Sequence, residues 1–232
     1  MNSEKFLPIL TKSTLFHSIN PEDLRGMLVC LQPKIHTYDK NDYIAFEGDA
    51  LPGIGIMLVG NGIIMKENAS GQRYIMGRLE AGDIFGEMVV YATNSLWPAT
   101  IQALENCTVM FLAREKIIGD CCKMCPWHRS LIENMLRIIS EKALFLNKKL
   151  EYLTIRSMRG KISAYLLDQY KNKKQPVFTL PMKRHELADF LHVSRPSMSR
   201  ELGRMRDEGV IKFERSTIEI LDKEKLINMI DS

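Results

Sequence analysis

HVSRPSMSREL, residues 192–202, decides how the chain is read. Met198, Leu202 and Met205 recur at helical spacing and give one apolar stripe. Ser194 is a good N-cap, because its hydroxyl can accept an otherwise unpaired N–H two or three residues on. Pro196 then falls in the first turn, where its missing N–H costs nothing. Gly209 is a natural stop. Upstream, Leu187, Ala188 and Leu191 form the buried side of an earlier helix, and Val193 closes a short turn. Helix, tight turn and capped second helix make the helix-turn-helix layout.

On the second helix Pro196, Ser199, Arg200, Gly203 and Arg204 lie away from the stripe, with Arg195 at the N-terminal end. A DNA major groove admits one helix. Arginine can bond guanine bidentately, and serine can bond bases or phosphate. Gly203 permits a close approach. VIKF (210–213) and TIEI (217–220) flank a short ERS turn, which predicts a two-stranded wing. The plain alternative is a helical hairpin with a basic face toward water. Cap, turn, stripe, stop and wing together weigh against it.

Charge is distributed accordingly. Residues 154–232 hold 16 Lys/Arg against 11 Asp/Glu, whereas residues 1–153 hold 16 against 17. The formal excess of +4 thus arises in the last third, which hints at an anionic partner. No apolar run approaches the roughly 20 residues of a membrane span. The first residues carry Glu4 and no cleavage-site pattern, so a cytoplasmic location and no membrane partner are expected. Five cysteines in 232 residues do not suggest a disulfide scaffold.

Working toward the N-terminus, the period changes twice. Residues 126–153 read as one helix in which Ile132, Leu136, Ile139, Ala143, Leu146, Leu150 and Leu153 form a narrow seam at alternating spacings of four and three. A seam this regular favours pairing with a second copy over packing within one domain, where the apolar face is usually wider. Leu131, Met135, Ile138 and Phe145 form a neighbouring stripe that could pack on the barrel. Before that helix, residues 33–113 hold short β-rich runs: Tyr43–Phe46, Gly55–Val59, Ile63–Lys66, Arg73–Leu79, Ala99–Leu104 and Thr108–Leu112. Turns at EGD (47–49), GNG (60–62), ASG (69–71) and AGD (81–83) separate them. This predicts a small antiparallel β-barrel. Residues 5–30 read as helical, with Asn20 capping a helix that begins at Pro21. The fold class is therefore α+β, divided as barrel with N-terminal helices (1–125), pairing helix (126–153) and winged helix-turn-helix (154–232). Within the last, Arg159–Tyr170 is expected to be helical, KNKKQP (171–176) a loop and VFTL (177–180) a strand.

In this order the residues resemble the Crp–Fnr family of bacterial transcription regulators over nearly the whole chain. EGD (47–49), GDIFGEM (82–88) and ATIQALENCTV (99–109) look like the glycine-punctuated core of its jelly-roll sensor barrel, and SRPSMSREL (194–202) looks like its recognition helix. The resemblance implies a homodimer on a palindromic site in double-stranded DNA. It implies DNA contact by Ser194, Arg195, Ser197, Ser199, Arg200 and Arg204, and admits RNA polymerase as a further partner. It places the effector pocket at Gly86, Glu87, Met88, Trp97, Pro98, Ala99 and Thr100, and dimerisation at Ile132, Leu136, Ile139, Ala143, Leu146 and Leu150. Two departures matter. Pro196 stands where a glutamate is common. Trp97 stands where the cyclic-AMP-binding members carry the arginine that grips the phosphate. An effector other than cyclic AMP, apolar or aromatic, is expected, or else a pocket that the protein fills itself.

Cys121, Cys122 and Cys125, with His128, could hold a metal or form a redox pair. The spacing supplies only half of a tetrahedral site, and buried or partly exposed thiols are the plain alternative. The family's iron–sulfur type uses an N-terminal cysteine group, but only Cys30 lies there. No cofactor is expected. A metal enzyme built on a small barrel would gather histidines, yet residues 33–113 hold only His36, and no phosphate loop or nucleophile elbow appears. A cyclic-nucleotide-binding module that regulates another domain is a further reading, against which the complete winged helix argues.

Overall fold

A computed structural model describes residues 3–68, 70–94, 96–119 and 126–230. The chain forms two compact units, residues 1–141 and 142–232, divided within a long helix.

In the first unit, α1 (Leu7–Leu10) and α2 (Pro21–Leu31) precede eight strands: β1 (Lys34–Tyr38), β2 (Tyr43–Ala45), β3 (Ile54–Val59), β4 (Gly62–Glu67), β5 (Arg73–Leu79), β6 (Ile84–Phe85), β7 (Thr100–Ala103) and β8 (Cys107–Leu112). As expected, Asn20 caps α2 by accepting the Asp23 N–H at 2.8 Å. The strands build two four-stranded antiparallel sheets, ordered β1-β8-β3-β6 and β2-β7-β4-β5. Alternation along β3 and β8 explains their continuous apolar sequences. Ile54, Ile56, Leu58, Met110 and Leu112 join the α2 core residues Leu24 and Leu28, while Met57, Val109 and Phe111 face the barrel interior with Ile44, Phe85 and Ile101. The sequence reading missed β1, half exposed and polar at every second position, and the two-residue β6.

After α3 (Arg114–Ile118) comes α4 (Pro126–Thr154), which passes from the first unit into the second. Leu131, Met135 and Ile138 are buried in the core formed with α2 and β3, as the second stripe predicts. Phe145 departs from that expectation. Its ring lies 5.4 Å from that of Phe190, inside the second unit.

The second unit continues with α5 (Met158–Lys173), β9 (Val177–Thr179), α6 (Arg184–Phe190), α7 (Arg195–Asp207), β10 (Ile211–Glu214), β11 (Thr217–Ile220) and α8 (Lys223–Asn228). The predicted loop at 171–176 is corrected: α5 runs on to Lys173 and ends where Lys174 turns left-handed, at φ 54°. The three strands form one antiparallel sheet, β10-β11-β9. Ile162, Leu166, Leu187, Met198, Leu202, Met205, Ile211 and Ile218 are the heart of a core separate from the barrel's.

Candidate functional site

The second helix of the motif is fixed at both ends. Ser194 accepts the Ser197 N–H through its side chain at 3.3 Å, and its own hydroxyl donates to Ser197 Oγ at 2.7 Å. Arg200 donates to the same Ser197 oxygen at 3.2 Å, so cap and guanidinium share one hydroxyl. At the other end Gly209 takes φ +71°. The Gly209 N–H reaches the Arg206 carbonyl and the Val210 N–H the Met205 carbonyl, which closes a Schellman motif with Met205 and Val210 buried beneath it. Met198, Leu202 and Met205 are fully buried. Burial of this stripe fixes which face α7 turns outward.

That face carries the predicted contact residues. Arg195, Ser199, Arg200 and Arg204 are exposed, as is Ser194, and Ser197 is half-buried. The Arg195 side chain makes no hydrogen bond or ion pair among the described residues. Arg204 is less free, since it pairs with Glu201 at 3.2 Å. Glu201 also accepts from Arg159 of α5, and Arg159 reaches Glu208 as well, tying α5 to α7. This brace went unseen in the sequence, because its partners are 42 and 49 residues apart. Two more arginines escaped notice at the wing. Arg184 stacks over the Phe213 ring at 4.9 Å and donates to the Arg215 carbonyl at 3.3 Å. Arg215 itself sits at the hairpin tip with φ +52°.

The predicted effector residues divide. Trp97 and Ala99 are buried in the barrel interior, and the Trp97 ring meets Phe85 edge-on at 6.2 Å. Gly86 takes φ +85°, a left-handed conformation that any side chain would strain, and a Cβ there would lie 2.8 Å from the Leu51 side-chain tip and 3.3 Å from the Gly53 carbonyl oxygen. Glu87 is buried beside it. Met88 and Pro98 point to solvent. Thr100 is half-buried and accepts the Glu47 N–H at 3.3 Å. It lines a shallow cavity of about 190 Å³ together with Tyr43, Phe46 and Arg73. Because Ile101 and Ala103 are the buried positions of β7, this cavity lies on the sheet's outer side.

Along α4 the predicted pairing seam faces outward. Leu136, Ala143, Leu146 and Leu150 are exposed, and Ile132 and Ile139 are half-buried. Ile132, Leu136 and Ile139 border an apolar cavity of about 170 Å³ with Tyr91, Ile117 and Ile118. The thiol group Cys121, Cys122 and Cys125 lies outside the described residues. His128 is engaged through Nε2, 3.0 Å from the Lys116 carbonyl oxygen. Among the described residues no group of three or more His, Cys, Asp or Glu could hold a metal, and no helix is long and apolar enough to cross a membrane.

Residues 35–119 match the cyclic nucleotide-binding domain, and residues 160–229 match the Crp-like helix-turn-helix domain. The cyclic AMP receptor protein of Thermus thermophilus is 24% identical over 208 residues, 90% of this chain and 92% of its own length. The CRP-like cAMP-activated global transcriptional regulator of Mycobacterium tuberculosis is 20% identical over 94% of this chain and 96% of its own. The crystal structure of Thermus thermophilus catabolite activator protein superposes with a TM-score of 0.53 at 23% identity, covering 94% of this chain and 98% of that one, which is a likeness of fold.

Proposed function

Because the chain belongs to the Crp–Fnr family of DNA-binding transcriptional regulators, which are not enzymes, we propose that it acts as a homodimer that lays the Ser194 end of α7 into successive major grooves of a palindromic site. The observation that carries this reading is the outward face of α7, on which Arg195, Ser199 and Arg200 are exposed above a fully buried Met198–Leu202–Met205 stripe. Arginine side chains there suit guanine or phosphate, and the Ser194–Ser197–Arg200 hydrogen bonds orient one of them in advance. The exposed leucines of α4 supply the twofold contact.

The signal is a molecule other than cyclic AMP. Relatives are named for cyclic AMP, but here Trp97 replaces the phosphate-gripping arginine with an indole packed against Phe85. Occupancy of the barrel by the true effector shifts the population of the DNA-competent dimer. Tight retention of labelled cyclic AMP in equilibrium dialysis would overturn the assignment.

The DNA reading is tested by titrating wild type and Arg200→Ala against an operator duplex and a random duplex. A discriminating contact costs about 1–3 kcal/mol on the operator only. Equal loss on both makes Arg200 a phosphate contact, and no loss on either removes it from the groove.

A further inference from the structure

The apolar cavity of about 170 Å³ lies wholly within the first unit, and four residues form its α4 wall: Ile132, Met135, Leu136 and Ile139. In the alternation of fours and threes along the seam, Leu136 takes position a of a heptad, with Ile132 and Ile139 at the flanking d positions. Met135, one residue before Leu136, takes g. When two helices pair in parallel and in register, an a side chain of one enters a hole made by four residues of the other, at d, g, a and d. The α4 wall is that set of four.

The facing wall is not part of the helix. Ile117 and Ile118 of α3 and the Tyr91 ring close it. Ile117 and Met135 are buried and make the floor. The rim is accessible: Ile118 is 50% and Leu136 60% exposed, and Ile132, Ile139 and Tyr91 are half-buried. Both walls are held in place. His128 Nε2 lies 3.0 Å from the Lys116 carbonyl oxygen and ties α4 to α3, while the Arg114 guanidinium lies over the Tyr91 ring at 5.5 Å. Apart from the Tyr91 hydroxyl no lining side chain is polar, so a charged guest would lose its water without compensation. A dry apolar cavity of about 150 Å³ takes a benzene molecule, so this one has room for a branched aliphatic side chain.

We infer that the occupant of this hollow is Leu136 of the partner subunit, and that Ile118 and Tyr91 of the barrel unit therefore belong to the twofold contact. Resting on the pairing of α4 proposed above, this contact goes beyond it, because a helix seam alone leaves the barrel unit outside the interface. The twofold axis gives each chain one knob and one hole. Pairing and sensing then touch directly. A change that moves α3 or Tyr91 alters dimer affinity, and pairing in turn biases that part of the barrel unit.

The test measures the dimer dissociation constant of the full chain by sedimentation equilibrium, for wild type, Ile118→Ala, Leu136→Ala and the double variant. Ile118 lies outside the seam, and both side chains are exposed in the single chain, so the variants fold. Far-ultraviolet dichroism matching wild type separates lost pairing from lost folding. Ile118→Ala raises the constant about tenfold or more, since its apolar contact is lost twice in a twofold dimer. The double variant raises it by less than the product of the two single factors, because both changes remove the same contact. A constant unchanged in Ile118→Ala overturns the socket, as do single effects that simply multiply. Leu150→Glu judges the pairing separately. If that variant is monomeric while Ile118→Ala pairs like wild type, α4 pairs without this hollow. A monomeric wild type defeats both.

Discussion

Arg159 and Glu208 form a two-pronged ion pair: Nη1 and Nη2 of the guanidinium donate to the two carboxylate oxygens at 2.9 and 2.8 Å. The pair fastens the start of α5 to the end of the recognition helix. Its Arg159 hydrogen bonds hold the Glu208 carboxyl below its ordinary 4.5. A depressed carboxyl contributes stability that is complete above the unfolded value and vanishes as pH falls through the folded one. Glu208→Gln therefore melts below wild type near neutrality, and the gap closes as the solution is acidified below pH 4.5. Calorimetric scans of both proteins across that range check it. A gap independent of pH would mean that the pair adds nothing through its charge.

Ser194→Ala removes the cap of α7 and the oxygen that anchors Ser197. The expected loss is about 1 kcal/mol, read as a lower urea midpoint with an unchanged slope. DNA affinity falls by more than the stability loss accounts for, since Arg200 loses the fixed position of its serine partner.

Gly55→Ala probes the barrel. A Cβ there would lie 2.1 Å from the Phe85 ring, which is itself locked edge-on between Trp97 and Phe111. Overpacking of this kind costs about 1–3 kcal/mol. The barrel and the DNA-binding unit keep separate cores, so scanning calorimetry should show the loss in one transition only.

Leu150→Glu places a carboxylate on the α4 seam. Leu150 is 60% exposed in the single chain, so the fold is hardly affected. The variant should sediment as a monomer and lose operator binding at concentrations where wild type is dimeric. A dimer that survives the change places the twofold contact elsewhere.

Much of this architecture could be read from local chemistry. Ser194, Pro196 and Gly209 announce helix ends whichever core they join, and the Met198–Leu202–Met205 stripe announces which side is buried. The exposed leucines of α4 kept their heptad register for the same reason. What escaped the reading depends on distant partners. β1 is polar at alternate positions and becomes a strand only because β8 lies beside it. KNK prolongs α5 although its lysines suggested a loop, since α5 is held by packing along its earlier turns. The fate of Trp97 was likewise undecidable from spacing: the structure fills the barrel interior with its indole, and only the Phe85 ring across the barrel reveals that.

The wing tip carries an overlooked cost. Arg215 is held in a left-handed backbone conformation that burdens any residue with a β-carbon by about 1–2 kcal/mol and that glycine adopts freely. Two-residue hairpin tips tuned for tightness alone carry Asn-Gly or Asp-Gly. The hairpin is thus less stable than its length permits. A drift to glycine at this position would harden the domain against heat while stripping a positive charge from its rim, so thermal robustness and electrostatic reach are set against each other at a single residue.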